Sequence, residues 1–250
     1  MTTGVDSTPY LEFARWRNDL VLSITKPELV KIRHAKTDRG CWVHAQMLRD
    51  CCPMILDPTY DLKDHHSPAT LSCFVQWLYT GAYNPVDRKV RALKVDEPNA
   101  NIRIEKVEGT DGIMDEAVKV SVLAWELGQH LGCEAFKDYA MQHLFVAFSR
   151  AGVQPLTAGT VHYVLRDRGK FGTIGYDELR VFFEDIVARN WGDETIVSHG
   201  NKNTWKLLLT KRSRFRRKFL DCSLSTPEQR RAIPLNLDTY LCDPDGEKQR

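Results

Sequence analysis

The chain has 250 residues, 42% of them hydrophobic and 27% charged, with a formal net charge of +2 at pH 7. This balance is typical of a globular protein with an apolar core, and the overall charge does not demand a nucleic acid or a membrane as partner. The seven cysteines lack the spacing of a disulfide framework, so we expect reduced thiols and a cytoplasmic or nuclear location. No apolar run approaches the length of a membrane-spanning helix.

The first part of the chain combines strand and helix patterns. Apolar residues alternate with polar ones over 19–34 on both sides of the turn "KPE", which predicts two strands. Residues 43–52 predict a helix whose extension Pro53 limits, and residues 60–64 predict a short third strand.

A further helix is predicted for the stretch "SPATLSCFVQWLYTG". Ser67 is a suitable N-cap, and Pro68 suits the first helical position. Apolar residues then recur at helical spacing and give one buried face that contains Leu78, before Gly81 ends the helix.

Residues 88–108 have the pattern of a charged hairpin. Two alternating segments, "RKVRALKV" and "IRIEKVE", flank the turn sequence "DEPNAN". We expect this hairpin to be an insertion that extends into solvent.

The remainder of the chain is predicted to be mainly helical. Helices are expected over about 114–131, 136–147, 160–167, 177–190 and 204–220. Strands that are followed by a run of helices indicate the α+β class. We assign residues 1–152 to one domain, 153–224 to a C-terminal helical extension and 225–250 to a mostly irregular tail.

Several motifs follow one another in a particular order. "NDLVLSI" has an Asp before an apolar strand, "VHAQMLRD" opens a helix with a Val-His pair, and "WLYTGAY" ends the helix that follows an acidic turn. The residues that carry these motifs are Asp19, Val43, His44, Trp77, Leu78, Tyr79, Thr80, Gly81 and Tyr83. With the later "VLAWELGQHLGCEAFKDYAMQHL" and "FFEDIVARNW", the pattern resembles the BTB/POZ domain family, and its fungal members in particular. The resemblance implies a small sheet flanked by helices.

The resemblance also implies a function without catalysis. BTB/POZ domains are protein-interaction modules, so we expect an adaptor or scaffold in a larger complex, associated with chromatin, transcription or another process. The alternative is a substrate adaptor for a cullin-based ubiquitin ligase, although residues 67–80 contain no acidic residue of the kind that cullin-binding members often carry. The segment "RDCCPMILDPT" is shorter than in the family and lacks its aromatic pair.

Self-association is expected at the N-terminus. Leu11, Phe13 and Trp16 precede the first predicted strand, where the resemblance places a helix that family members use to form dimers. The alternative is that these three residues only cover the core of their own chain.

Two patterns suggest metal sites. Cys41 and His44, together with Asp64, His65 and His66, offer the ligand types that zinc prefers, but the paired C-x-x-C spacing is absent. The neighbouring cysteines at 51 and 52 have no adjacent basic partner that would activate a thiol, so we interpret them as core residues. We therefore expect no metal ion, no cofactor and no catalytic residue.

The loop at 167–178 resembles a calcium-binding EF-hand loop. Asp167, Gly172 and Glu178 fall at its first, sixth and twelfth positions, but Gly169 and Phe171 replace two side-chain oxygen ligands. A calcium sensor is therefore a distant alternative to an ordinary glycine-rich loop between helices.

A concentrated basic segment lies in "NTWKLLLTKRSRFRRKFLDC". Its six cationic residues are Lys211, Arg212, Arg214, Arg216, Arg217 and Lys218. One interpretation is that the apolar stripe of this helix packs on the preceding helices and the charges are solvated. The other is that the segment binds an acidic protein partner, serves as a nuclear-import signal, or contacts nucleic acid, although direct nucleic-acid binding is the least expected of these.

Overall fold

The computed structural model describes residues 28–34, 37–56, 66–97, 102–105, 112–150, 152–166 and 177–242. The described elements are β1 Leu29–His34, β2 Thr37–His44, α1 Ala45–Cys51, a 3₁₀ helix Pro53–Leu56, α2 Pro68–Thr80, β3 Lys89–Arg91, β4 Ile113–Asp115, α3 Glu116–Leu131, α4 Glu134–Ser149, α5 Ala158–Val164, α6 Glu178–Asn190, α7 Lys202–Lys211, α8 Ser213–Ser223, α9 Pro227–Ala232 and a 3₁₀ helix Leu237–Tyr240. Helices and two small sheets make this a mixed structure, compatible with the α+β class.

Some predictions concern residues outside these ranges. They are the self-association residues Leu11, Phe13 and Trp16, the signature residue Asp19, the strand at 60–64, the zinc ligands Asp64 and His65, and most of the loop at 167–178. Among the helices of the described ranges, none is long and apolar enough to cross a membrane.

The first sheet corrects the predicted helix at 43–52. β1 pairs antiparallel with β2, so that Val30 lies opposite Val43 and Leu29 opposite His44. Val43 and His44 therefore end a strand that the sequence did not predict, and α1 begins at Ala45. A short apolar run fits a strand and a helix equally well, and here the partner strand decides between them.

Helix α2 has the ends that the sequence predicts. The Ser67 hydroxyl accepts a hydrogen bond from the Thr70 N–H at 3.2 Å, and Pro68 occupies the first turn. Gly81 has a φ of 73°, in the left-handed region that favours glycine, and closes the helix with a bond to the Trp77 carbonyl. Leu78 faces the core with 0% of its surface exposed.

The segment 88–108 does not form the solvent-exposed hairpin that its pattern predicts. β3 pairs antiparallel with β4, with Val90 opposite Met114, and both side chains are buried. Ile102 is also buried. The Lys119 ammonium of α3 donates hydrogen bonds of 2.8 Å to the carbonyls of Arg91 and Arg103. The described parts of this segment therefore pack against α3.

Helices α3 and α4 pack against each other, and Gly128 of α3 lies close to Lys137 of α4. A Cβ atom there would lie 2.9 Å from the Lys137 side chain and 3.1 Å from its backbone nitrogen. Lys137 is itself buried, and its ammonium lies 2.9 Å from Glu134. Only glycine allows this separation, which places a lysine stem between the two helices.

A buried ionic group joins α5 to α3. The Tyr163 hydroxyl donates to Glu126 at 2.9 Å, and the Arg166 guanidinium lies 2.9 Å from the same carboxylate. The guanidinium also lies over the Tyr163 ring, 3.5 Å from its centre. The C-terminal extension is thus attached to the preceding helices by a satisfied polar contact.

The predicted helix at 204–220 is in fact two helices. Arg212 has non-helical φ and ψ of −112° and 87°, and it ends α7 and precedes α8. Trp205 of α7 and Phe215 of α8 lie on either side of this bend, and both side chains are buried in the core.

The tail from residue 225 is more regular than the sequence predicts. It contains α9 and a 3₁₀ helix, and the Arg230 guanidinium donates to the carbonyls of Ala188 and Trp191 in and after α6. The Tyr240 hydroxyl donates to Asp185 at 3.0 Å, and Tyr240 is buried. Main-chain carbonyls at the end of α6 hold this segment, and such long-range partners leave no local sequence signal.

Candidate functional site

A cavity of about 500 Å³ lies between the end of α6 and the first of the two basic helices. Its aromatic wall consists of Trp191, His199 and Trp205. The Trp191 and His199 rings lie 4.3 Å apart, and the Trp191 and Trp205 rings meet edge to face at 5.1 Å. This volume is large enough for one or two side chains of a partner or for a small planar ligand.

Helix α7 presents alternating charged and apolar groups to this cavity. Lys202, Trp205, Lys206 and Leu209 occupy positions i, i+3, i+4 and i+7, so they share one side of the helix. The Trp205 indole N–H donates to the Ser198 carbonyl at 3.0 Å, and only 4% of the residue is exposed. A fixed tryptophan therefore forms the floor, and two exposed lysines form the rim.

Helix α8 supplies a third cation and the packing behind the cavity. Arg216 lines the opening, while Phe219 contacts the Trp191 ring edge to face at 4.9 Å. Phe215 is fully buried next to Phe219. The apolar face of α8 thus supports the cavity wall, and its polar face carries the charge.

The six residues of the predicted basic patch do not behave alike. Arg214 and Lys218 face α6, where they lie 3.6 Å from Glu184 and 2.5 Å from Asp185. Arg212 is half-buried at the bend. Lys211, Arg216 and Arg217 are exposed, and they form no ion pair within the described part of the chain. Part of the patch therefore holds α8 in place, and part of it is available to a partner.

Several of these cations lie at helix N-termini, where they are expected to destabilise α7 and α8. Neither α7 nor α8 has an acidic residue in its first turn, and Lys202, Arg214 and Arg216 lie there instead. A helix N-terminus carries partial positive charge, so cations at this end are unfavourable. At the other end of α7, burial and the nearby Arg212 and Lys211 charges lower the pKa of His162. Cations therefore lie close together at the start of each of the two helices and at the bend between them.

His199 has one satisfied and one unsatisfied nitrogen. Its Nδ1 lies 3.2 Å from the Glu194 carboxylate, whereas its buried Nε2 has no hydrogen-bond partner among the described residues. A buried polar atom without a partner costs free energy unless a ligand or water satisfies it. The imidazole therefore offers one hydrogen-bonding position beside the indole rings.

The signature residues of the resemblance lie elsewhere and have structural contacts. The Tyr79 hydroxyl accepts from the His44 main-chain N–H at 3.1 Å and lies 2.7 Å from His44 Nδ1. Trp77 and Tyr83 are buried and contact the Phe136 ring at 5.0 and 6.0 Å. These contacts join β2, α2 and α4.

Of the remaining signature residues, Val43 lies in β2, and Leu78, Thr80 and Gly81 lie at the end of α2. Val43 and Leu78 are fully buried. The Thr80 hydroxyl is shared between the carbonyls of Gln76 and Ala82 at 2.8 and 2.7 Å, next to the left-handed Gly81. None of these groups points to a reaction.

Two of the residues considered as zinc ligands, His44 and His66, have aromatic neighbours in the described part of the chain. The His44 ring contacts Tyr79, and the His66 ring lies against His130 at 5.2 Å. Within the described ranges, no group of three or more His, Cys, Asp or Glu residues could hold a metal ion. Glu178, the last position of the calcium-loop alignment, lies 3.8 Å from the buried Lys137 ammonium.

Sequence reasoning found Arg216 but missed the rest of the cavity. Trp191, His199, Lys202 and Lys206 come from segments that were interpreted separately. The spacing Lys-x-x-Trp-Lys over 202–206 is a usable signal, because it places both lysines within one turn of the tryptophan. No family model matches the chain, and no curated protein or solved structure is significantly similar to it.

Proposed function

We propose that this chain is a non-catalytic protein-interaction module, an adaptor or scaffold of the BTB/POZ type, and that its C-terminal helices bind an acidic segment of a protein partner. The observation that carries the proposal is the cavity in which two tryptophans are surrounded by Lys202, Lys206 and Arg216. The motif resemblance supports the BTB/POZ assignment, and the contact between His44 and Tyr79 is consistent with a structural role for that motif.

The shape and the charge of the cavity both favour a peptide with an apolar anchor. Tryptophans are typical hot spots of interfaces, because they offer a large rigid contact area, and here Trp191 is partly exposed beside the buried Trp205. The rim cations lie where carboxylates that flank an aromatic or aliphatic anchor would meet them. Complementary charge of this kind accelerates association and selects the partner.

A protein partner fits this surface better than nucleic acid does. Nucleic-acid binding generally needs a continuous basic path, because each phosphate adds a contact. Here Glu184 and Asp185 lie close to Arg214 and Lys218, and Glu194 is exposed next to His199. Three exposed cations, Lys202, Lys206 and Arg216, therefore line one cavity, and the acidic residues interrupt the basic surface around it.

The proposal is tested with fluorescein-labelled peptides and the intact chain. The test peptide has one central Phe between Glu residues. One control peptide replaces Phe by Ser, and another replaces Glu by Gln. We expect binding of the test peptide only, and the triple variant Lys202→Gln/Lys206→Gln/Arg216→Gln should weaken it by about tenfold or more, because charge pairs at an interface contribute strongly.

A matched triple variant controls for the loss of charge. Lys94, Arg103 and Arg150 are exposed and do not line the cavity, so their replacement by Gln should leave affinity within about twofold. A single-stranded RNA of equal charge is titrated in parallel across salt concentrations. Tighter binding of the RNA, or equal effects of the two triple variants, would contradict the proposal.

A further inference from the structure

Three cationic side chains line the same cavity as Trp191 and Trp205. Lys202 and Lys206 come from α7 and Arg216 comes from α8, and all three are exposed. They form no ion pair within the described part of the chain, and none of the described residues that line the cavity is acidic. The cavity therefore presents three positive charges beside two indole rings.

The arrangement of these cations is unfavourable when the cavity is empty. Lys202 and Lys206 are four residues apart in α7, and like charges at this spacing destabilise a helix. Arg216 of the next helix adds a third charge to the same cavity. Negative charge that enters the cavity offsets this repulsion, and it does so best when the charge is concentrated on one group.

The aromatic wall has a geometry that suits a third ring. The planes of Trp191 and Trp205 are almost perpendicular, at 88°, and their centres lie 5.1 Å apart. A ring that stacks parallel to one indole therefore meets the other edge to face, and both arrangements are favourable between aromatic groups. Trp205 is held by the bond from its indole N–H to the Ser198 carbonyl, so this corner is fixed before a ligand binds.

We infer that the cavity is a phosphotyrosine-binding site, in which a phosphorylated tyrosine anchors the acidic segment of the protein partner. The inference rests on the proposed function and specifies its ligand. The two indoles hold the tyrosine ring, and Lys202, Lys206 and Arg216 hold the phosphate. A tyrosine phosphate carries a charge of about −1.5 to −2 at pH 7 and three acceptor oxygens, whereas each glutamate brings one charge on a separate side chain. Phosphorylation of the partner therefore strengthens docking.

The test titrates the intact chain into fluorescein-labelled peptides that share flanking Glu residues and differ at one central position. That position is phosphotyrosine, tyrosine, phosphoserine or phenylalanine. We expect the phosphotyrosine peptide to bind about tenfold more tightly, or better, than the other three, because each of them lacks the ring or the phosphate. Equal affinity for phosphotyrosine and tyrosine, or for phosphotyrosine and phosphoserine, would overturn the inference and leave the proposed function standing. Binding of none of the four peptides would overturn both.

Substitutions at exposed positions locate the phosphate within the cavity. Arg216→Lys keeps the charge but loses the planar pair of donors that matches a phosphate, so it should weaken binding of the phosphotyrosine peptide by about threefold or more and leave the tyrosine peptide unchanged. The control Arg150→Lys, outside the cavity, should change neither affinity by more than about twofold. Equal effects of the two variants would contradict the inference.

Phenyl phosphate distinguishes a protein partner from a small aryl phosphate. It carries the ring and the phosphate but not the flanking peptide, so it should displace the phosphotyrosine peptide only at a concentration about a hundredfold higher than the unlabelled peptide needs. Displacement at equal concentrations would show that the cavity binds a small molecule, and would overturn the assignment to a protein partner.

Discussion

Two regions of this protein use charge in opposite ways. Around α3 and α4, buried ionic side chains have close partners: Lys119 has two carbonyls, Lys137 has Glu134, and Glu126 has Tyr163 and Arg166. On α7 and α8, exposed cations surround an aromatic cavity, and several have no ion-pair partner among the described residues. The first arrangement fixes a structure, and the second leaves charge for a ligand.

The comparison separates residues that look alike in the sequence. Lys119 and Lys211 are both lysines of helices that also carry apolar residues, yet one is buried and the other is exposed. Burial without a partner is costly, so a buried charge must be matched within the fold. An exposed charge stays hydrated and has no such cost, so it can be used to bind a partner. Each prediction below therefore compares a buried or paired residue with an exposed one.

We expect the largest loss of stability from the substitution Leu78→Ala in α2. Leu78 is fully buried, so the substitution removes apolar contacts and leaves a cavity, which should lower the free energy of unfolding by about 2–5 kcal/mol. The same substitution at Leu220 of α8, which is 54% exposed, should change it by about 0.5 kcal/mol or less. Urea denaturation followed by circular dichroism measures both. Equal losses of stability in the two variants would contradict the assignment of Leu78 to the core and of Leu220 to the surface.

Glu126→Gln should have the next largest effect. It removes the charge of a buried carboxylate that contacts the Tyr163 hydroxyl and the half-buried Arg166 guanidinium, while keeping the shape of the side chain. The loss of these charge-assisted contacts should cost up to about 3 kcal/mol. Glu194→Gln in the C-terminal region changes an exposed carboxylate and should have little effect on unfolding. A small loss for Glu126→Gln in urea denaturation would mean that the junction between α3 and α5 contributes little.

Local features of the fold were predictable, and long-range features were not. Ser67, Pro68 and Gly81 act within their own helical turns, so the sequence predicted both ends of α2 correctly. The partner of β3 depends on a segment more distant than the one that the hairpin pattern suggested. An alternating pattern shows that a strand has two faces, but it does not identify the neighbouring strand.

The candidate site was also only partly predictable from the sequence. The basic residues of α8 were visible in the sequence, but the bend at Arg212 was not, because the apolar spacing continues through it. Trp191 and Lys206 come together only after α7 folds back against the end of α6. Sites assembled from separate segments depend on packing, which a single sequence does not specify.

A pH effect is expected at Lys119. Burial lowers its pKa from 10.5 to about 8, so between these values the unfolded chain binds the proton and the folded chain does not. Stability from this group therefore rises as the pH increases from about 8 to 10.5, by up to about 3 kcal/mol. Unfolding free energies of wild type and Lys119→Met should diverge in this window in favour of wild type. Lys211→Met, at an exposed position, is the matched control for the loss of one lysine.

We expect the smallest difference in stability between substitutions at two neighbouring cations of α8. Lys218 lies 2.5 Å from Asp185 with 28% of its side chain exposed, whereas Arg217 is exposed and has no ion pair within the described ranges. Lys218→Gln should lower the free energy of unfolding by about 0.5–1 kcal/mol, because a partly exposed ion pair is screened by solvent, and Arg217→Gln should leave it nearly unchanged. High salt should reduce the difference. If Arg217→Gln is the more destabilising of the two in urea denaturation at low salt, the division of the basic patch into anchoring and available charges is wrong.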